Sequence, residues 1–346
     1  MTSSYKPGAI FSTDNYIPRV MIAPSRYIQG PDALEHLGRY LSLIPAKKVG
    51  LLITEGGQQR FGTRINQTLR AADIEPTVEI FQDECSYEEA ERAATTLRQK
   101  KQGLDCLIAV GGGKCLDAGK AVAFRLGVPV VTCPTLASTD APCSAVAVMY
   151  TPEGIALGGE FYPQSPALVV VDSQIIAQAP ARFLVAGMAD ALATWYEAKA
   201  CFDTPTARSM VGGRIPVSVL AMAETGANLL FEQGPKALSA VHQGRVTEAL
   251  EQVIEINTLT SGLGFESGGL AVVHAVAKGL TAIESVRLNY LHGELVAIGI
   301  LTQLILTRDF TEAERVVEFF AKVGLPHRLE QIGIHVEGDR EALYLV

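Results

Sequence analysis

The chain has 346 residues, enough for about two domains, and 48% of them are apolar, which excludes a disordered chain. Its 29 basic and 37 acidic residues give a net charge of −8 without any Lys/Arg block, which argues against nucleic acid and membrane surfaces as partners. The charged fraction of 19% is low for a soluble domain, which favours surface buried between subunits and therefore a homo-oligomer.

Neither a membrane span nor a targeting signal is evident in the sequence. The longest apolar stretch, 296–306, is too short to cross a bilayer. The first residues contain no signal-peptide or transit pattern, so we expect a cytoplasmic protein. Six cysteines without CxxC spacing indicate buried thiols rather than disulfides or structural zinc.

Short β-branched apolar runs alternate with helical stretches in the first half of the chain. Runs that are apolar on both faces are typical of strands in a covered parallel sheet. We predict five such strands: 49–54, 77–81, 106–110, 128–132 and 167–171. Ser86 and Glu89 form a capping box ahead of the helix that follows the second strand. The alternation indicates right-handed βαβ units and a doubly wound α/β fold.

After Pro180 the strand signal disappears, and Ala- and Leu-rich segments follow at helical period. The predicted helical segments are 187–201, 206–232, 236–256, 266–282, 293–306 and 311–323. We therefore predict an α/β domain over 1–180 and an all-α domain over 181–346, with a ligand-binding cleft between them.

The segment 106–123 sets an apolar strand against three consecutive glycines, Gly111 to Gly113, before a helix that opens at Lys114. Bare backbone N–H groups in such a turn can approach a pyrophosphate, and the helix N-terminus adds partial positive charge. The GxGxxG and Walker patterns are both absent, so a phosphate site and a tight turn that needs positive φ are both open interpretations. Glu55, after the first strand, can accept from a ribose 2′-OH, or it is a solvated loop acid.

Three ionisable residues of the helical half lie among apolar and small residues: Asp190, His274 and His292. A buried carboxylate or imidazole needs a hydrogen bond, an opposite charge or a metal. On separate helices the three could bind a divalent cation with open positions, although a hydrogen-bonded core histidine is the alternative that spacing alone favours. Asp140 and hydroxyl side chains follow the fourth strand, where ligands bind in open α/β folds and where turn residues are also common.

Several blocks of the sequence together resemble the glycerol dehydrogenase branch of the iron-containing (group III) alcohol dehydrogenases. These blocks are RYIQGPDALEHLG, GGGKCLDAGKAVA, PTLASTDAPCSAVAVMY, PARFLVAGMADALATWYEA, GFESGGLAVVHAV and HGELVAIG. The resemblance covers the chain from about residue 22 to its end. It implies the dehydroquinate synthase-like fold, with a dinucleotide-binding α/β domain and a helical domain for metal and substrate. It also implies zinc, NAD, and glycerol or a similar polyol that is oxidised to its ketone.

The resemblance implies roles for individual residues as well. Asp190, His274 and His292 would bind zinc, Asp140 would contact the substrate, and Glu55 would meet the adenosine ribose. The remaining dinucleotide contacts would fall on Gly111, Gly112, Gly113, Lys114, Asp117, Thr135, Ser138, Ser144, Val146 and Tyr150.

Three features depart from the pattern of the family. Thr194 stands where the iron-dependent members have a further histidine, which favours zinc over iron. Ala277 replaces another histidine, and the chain ends at Val346, before the family's last helices, which suggests a truncated chain.

One alternative is an enzyme that resembles glycerol-1-phosphate dehydrogenase or 3-dehydroquinate synthase, but the cations for a substrate phosphate are limited to Lys278 and Arg287. Another is an inactive truncated member of the family.

Overall fold

The computed structural model of the chain describes residues 5–13, 16–82 and 84–335. By its internal contacts the chain divides into two compact units. Ile22–Ala137 and Ala141–Ala179 form most of the first unit, and the second contains Gly8–Met21, Ser138–Asp140 and the chain from Pro180 onwards. This division differs from the expected 1–180 and 181–346 because two short segments from the first half pack with the helical unit.

A six-stranded parallel sheet forms the centre of the first unit, and a separate antiparallel hairpin accompanies it. The sheet strands are β1 (Tyr27–Gly30), β2 (Val49–Thr54), β3 (Thr77–Phe81), β4 (Cys106–Gly111), β5 (Val130–Pro134) and β8 (Leu168–Asp172), and the hairpin strands are β6 (Val146–Tyr150) and β7 (Ala156–Phe161). The order across the sheet is β1-β8-β5-β4-β2-β3. All five predicted strands are present, with small shifts at their ends, whereas β1, β6 and β7 were not predicted.

The helices that follow β2 and β4 pack on opposite faces of the sheet. The helices of this unit include α2 (Leu37–Tyr40), α3 (Glu55–Ala71), α4 (Tyr87–Lys100), α5 (Gly113–Leu126) and α6 (Ser173–Ala177). Ile65 of α3 belongs to one hydrophobic core, and Leu97 of α4 and Val122 of α5 belong to the other. Ser86 caps α4 by accepting from the N–H of Glu89, but the predicted capping box is incomplete. The Glu89 carboxylate accepts from the N–H of Gln82, and the N–H of Ser86 donates to the carbonyl of Glu84.

The second unit consists mainly of helices. A short helix α1 (Pro7–Phe11) precedes the sheet in the chain, and the later helices are α7 (Ala181–Asp203), α8 (Val217–His242), α9 (Glu248–Glu255), α10 (Ser261–Gly268), α11 (Val272–Leu280), α12 (Glu284–Asn289), α13 (His292–Leu306) and α14 (Phe310–Val323). A π-helical turn, Ile256–Thr260, joins α9 to α10 without a break.

Four predicted helical boundaries in this unit were wrong. The segment 236–256 is divided between α8 and α9 at Gly244, where φ is 61°. The segment predicted from residue 206 becomes helical only at Val217, because Gly212 has φ of 81° and Pro216 precedes the helix. The predicted break before residue 236 is absent, since α8 continues through Pro235 and its packing against α7 and α9 offsets the roughly 3 kcal/mol cost of an interior proline. The segment 266–282 is divided at Gly269, where φ is 91°.

All six cysteines are buried thiols, as the sequence predicted. Within the ranges that the structure describes, no helix has the length and apolar character needed to cross a membrane. Both findings agree with the composition of the chain.

Candidate functional site

Asp190, His274 and His292 lie together in the second unit and are called the metal cluster here. One ligand atom from each lies within 4.8 Å of the other two. Asp190 Oδ1 is 3.5 Å from Nε2 of His274 and 3.4 Å from Nε2 of His292. This oxygen is buried and has no hydrogen-bond partner. A buried carboxylate oxygen that faces two imidazole nitrogens without a hydrogen bond needs a cation, so these residues fit a divalent metal ion.

Close helix packing around the metal cluster depends on two glycines of α13. The cluster takes one residue from each of α7, α11 and α13, and these helices pack against one another. A Cβ on Gly293 would lie 1.9 Å from the main-chain oxygen of Ala186 on α7, and one on Gly299 would lie 2.3 Å from that of Val273 on α11. A side chain at either position would force α13, and its histidine, away from the other two ligands.

The charges of the metal cluster stabilise one another. Burial raises the pKa of the Asp190 carboxyl, but the imidazoles of His292 and His274 outweigh burial and hold this pKa well below its usual range. Burial lowers the pKa of His274, whereas Asp190 and Glu197 raise it, with a net pKa of about 10. A metal ion must therefore displace a proton from His274 before it can bind there.

Glu197 contacts the metal cluster and was not singled out from the sequence. Its side chain is completely buried on α7, with Oε2 2.5 Å from Nδ1 of His274. Its other oxygen, Oε1, accepts hydrogen bonds from the backbone N–H groups of Ala271 at 2.7 Å and His274 at 3.0 Å. The available signal was an acidic residue two helical turns after Asp190, which places both carboxylates on one face of α7.

The glycine turn lies where the strand order of the sheet reverses. The chain passes from β3, at the edge, across β2 to β4, and the helices after β2 and β4 lie on opposite faces. Ligands of doubly wound folds bind at this point of the sheet, at the carboxyl ends of the strands. Gly112 precedes α5 and Gly113 is its first residue, so a helix N-terminus opens at this edge and suits a phosphate group.

Space, rather than a positive φ, requires glycine in this turn. Gly112 has φ of −84°, and neither of its glycine neighbours is among the residues with positive φ, so the interpretation as a positive-φ turn was wrong. A Cβ on Gly111 would lie 2.7 Å from Cβ of Cys115, and one on Gly112 would lie 3.2 Å from Leu136. The backbone is therefore bare at the position where a phosphate would approach.

Gly119 is a further glycine at a close approach, which the sequence interpretation did not single out. A Cβ there would lie 2.3 Å from Cβ of Ala109, so α5 packs directly against β4. Close helix–strand packing is the role of the third glycine in dinucleotide-binding folds. The GxGxxG pattern would place that glycine at position 116, where this chain has leucine. Gly119 lies three residues later, on the face of α5 that meets the strand.

Asp117, Ser144 and Val146 make hydrogen bonds inside the first unit. Asp117 Oδ1 is 2.7 Å from Nζ of Lys120, and Oδ2 accepts from the N–H of Val148 at 2.9 Å. Lys120 is buried and also donates to the Ser144 hydroxyl at 3.0 Å and to the Val146 carbonyl. Burial raises the pKa of Asp117 even beside this lysine. These groups tie α5 to β6 and thereby support the glycine turn.

Other predicted cofactor residues lie near the carboxyl ends of the strands. Glu55 is exposed and begins α3 directly after β2. Thr135 follows β5, and its N–H donates to the carbonyl of Gly111 at 2.9 Å. Lys114 is exposed, with Nζ 5.3 Å from the ring centroid of Tyr150 at the end of β6.

Ser138 and Asp140 belong to a different unit from the glycine turn. The segment Ser138–Asp140 is grouped by its contacts with the second unit, whereas the chain on either side belongs to the first. Both residues are partly buried. Asp140 is therefore in the same unit as the metal cluster.

A doubly wound unit with a phosphate-accepting turn, followed by a helical unit with a divalent-metal cluster, defines a metal-dependent oxidoreductase that uses a dinucleotide. The profile of the iron-containing alcohol dehydrogenases matches residues 24–173. The glycerol dehydrogenase of Citrobacter freundii is 43% identical over 93% of this chain and 87% of its own length.

Solved structures of similar proteins have the same fold. The crystal structure of a probable glycerol dehydrogenase from Sinorhizobium meliloti 1021 is 40% identical, with a TM-score of 0.85 over 92% of this chain and 86% of its own. The glycerol dehydrogenase structure from Schizosaccharomyces pombe is 34% identical, with a TM-score of 0.88 over 92% and 80%. The chain therefore belongs to the iron-containing alcohol dehydrogenases, a family of metal-dependent oxidoreductases, and the predicted fold and resemblance are confirmed.

Proposed function

We propose that the chain oxidises glycerol and similar vicinal diols, glycerol to dihydroxyacetone, with NAD as the hydride acceptor. The observation that carries the proposal is the metal cluster, in which a buried carboxylate oxygen without a hydrogen bond faces two imidazoles. Relatives named glycerol dehydrogenase, at 43–45% identity, support the choice of substrate. In the reaction the secondary carbon loses a hydride to the nicotinamide, and its hydroxyl loses a proton.

Zinc is the proposed metal of the cluster. Two imidazoles and one carboxylate are the donors that zinc takes in catalytic sites, and they leave coordination positions open for a substrate. Thr194, one turn after Asp190 on α7, adds no nitrogen donor, and its hydroxyl lies 3.4 Å from that of Ser261. When bound, the ion supplies the Lewis acidity that lowers the pKa of a substrate hydroxyl.

The first unit is proposed to hold NAD through its glycine turn and Glu55. The N–H groups at the start of α5 would bind the pyrophosphate, because they have no partners within the helix. Glu55 would accept a hydrogen bond from the adenosine ribose and repel the 2′-phosphate of NADP. Thr135, Ser138 and Tyr150 are retained in the proposal as further contacts.

Asp140 is proposed to bind a hydroxyl of the substrate. Its carboxylate would accept a hydrogen bond from the diol, which orients the reacting carbon, and would pass the hydroxyl proton towards solvent. The low charged fraction supports a homo-oligomer as the assembled state. The cytoplasmic location stays a prediction.

Metal analysis of the purified chain, paired with an absorbance assay for NADH formation in the presence of glycerol, tests the proposal. We expect stoichiometric zinc and glycerol-dependent NADH formation that a chelator abolishes and added Zn²⁺ restores. His274→Ala serves as the control and should lose both properties. A zinc-loaded chain that forms no NADH from glycerol would refute the proposed substrate, and an active chain without metal would refute the role of the cluster.

A further inference from the structure

Glu197 carries a charge into the interior of the second unit. Its side chain has no exposed surface, and among the residues that the structure describes its ion-pair partner is His274. Burial of a carboxylate is costly unless the group is paired and its oxygens accept hydrogen bonds.

One oxygen of Glu197 caps a neighbouring helix. Oε1 accepts from the N–H of Ala271, the residue that precedes α11, and from that of His274, its third residue. Backbone N–H groups in the first turn of a helix have no partners within the helix. The carboxylate of α7 therefore fixes where α11 begins and how its first turn is oriented.

The other oxygen determines which nitrogen of His274 can bind a metal ion. An ionised carboxylate only accepts hydrogen bonds, so the 2.5 Å contact between Oε2 and Nδ1 requires the proton on Nδ1. In the neutral imidazole the lone pair then lies on Nε2, the nitrogen that faces Asp190 Oδ1 at 3.5 Å. The same side chain thus fixes both the position and the tautomer of this ligand.

We propose that Glu197 is a positioning residue for the metal ion, holding His274 as an Nε2 ligand while it caps α11. The inference rests on the proposed function of the metal cluster. It assigns α7 two tasks two turns apart, since Asp190 would bind the ion directly and Glu197 would act through the imidazole.

Glu197→Gln separates the two tasks of the side chain. The two backbone N–H groups still require an oxygen, so the amide oxygen takes the place of Oε1 and capping persists. The amide NH₂ then faces Nδ1 of His274, which must accept, and the proton moves to Nε2, where it excludes a metal ion. A purely structural role would leave metal affinity unchanged in this variant.

Zn²⁺ affinity, measured by competition with a chromophoric chelator, should be about 10- to 100-fold weaker in Glu197→Gln than in the unmodified chain. The matched control is Glu160→Gln, which removes a carboxylate that is equally buried and ion-paired with Arg125 in the first unit. The control should bind Zn²⁺ as the unmodified chain does, even if its melting temperature falls.

Unchanged Zn²⁺ affinity in a folded Glu197→Gln chain would overturn the inference and leave the proposed function intact. If the variant does not fold, long-range ¹H–¹⁵N correlations of the histidine rings in the Zn²⁺-loaded unmodified chain decide. A proton on Nδ1 of His274 supports the inference, and an unprotonated Nδ1 overturns it. An unmodified chain that binds no Zn²⁺ would instead overturn the proposed function, and with it this inference.

Discussion

Gly119→Ala tests whether the glycine turn depends on close packing between α5 and β4. The added methyl group would lie 2.3 Å from Cβ of Ala109. Carbon atoms make favourable contact at about 3.5–4.0 Å, so helix and strand would have to separate by about 1.2–1.7 Å. The N-terminus of α5, one and a half turns earlier, would move with the helix.

The magnitude follows from two opposing terms. Overpacking costs about 1–3 kcal/mol, and replacing glycine by alanine within a helix returns about 1 kcal/mol. The free energy of unfolding should therefore fall by about 0–2 kcal/mol, which lowers the melting temperature by a few degrees. Hydrogen bonds to a charged phosphate contribute about 1.5–3 kcal/mol, so a displaced turn should raise KM for NAD about 10- to 100-fold.

Steady-state kinetics with varied NAD and a thermal melt measure both effects. Gly62→Ala on α3 is the matched control, because it is also a glycine-to-alanine exchange within a helix. The atoms nearest to its added Cβ belong to the flexible side chain of Gln58. Gly119→Ala with a KM for NAD like that of the control would refute the role of this packing in cofactor binding. A melting temperature that rises as much as it does in the control would refute the close approach itself, because the overpacking cost would then be absent.

Four further results are expected. Asp190→Asn should lose bound zinc and at least a hundredfold of kcat, as metal analysis and NADH assays would show, because the amide removes the anionic oxygen that both imidazoles face; retained zinc would contradict this. Zn²⁺ should bind up to about tenfold more tightly per pH unit between pH 7 and 9, because the pKa of His274 is about 10 and the ion must displace its proton. An affinity for Zn²⁺ that does not change with pH in chelator competition would contradict this. The metal-free chain should lose stability over the same pH range. The pKa of His274 is about 10 in the folded chain and about 6.5 in the unfolded chain, so the imidazole stabilises the fold only while it is protonated. Thermal melts at rising pH would show this loss as a falling midpoint. Glu55→Ala should raise KM for NAD and lower that for NADP, and an unaltered ratio of the two would remove Glu55 from ribose recognition.

The central strands were predictable because strands that are buried on both faces are apolar at almost every residue. β2 and β4 are apolar and buried along almost their whole length, so composition alone identifies them. β1 has only partly buried residues and pairs at the edge with β8, which is 142 residues away in the chain at Gly30 and Asp172. β7 contains Gly158 and Gly159, which have low strand propensity, and it forms through pairing with β6. Such pairings are tertiary and leave no periodic signal.

The metal cluster could be predicted because its ligands are polar residues in apolar surroundings. Glu197 satisfies the same description, yet it was missed, since it also resembles the charged residues near the end of an amphipathic helix. What distinguishes it is the first turn of α11, which the sequence interpretation placed inside a longer helix beginning at residue 266. Gly269 breaks that helix and brings Ala271 and His274 to the carboxylate. An error in a helix boundary therefore concealed this contact.

In both units, glycines stand where two packed elements approach most closely. The spacing of a sequence motif did not predict the positions of these glycines. Gly119 sets the distance between α5 and β4, while Gly293 and Gly299 set the distances from α13 to α7 and α11. In each case the constraint is an interatomic distance across two elements, so the position of the glycine depends on where the elements cross. The proposed phosphate turn can thus have its packing glycine at position 119 instead of 116, because Gly119 is the residue that faces the strand.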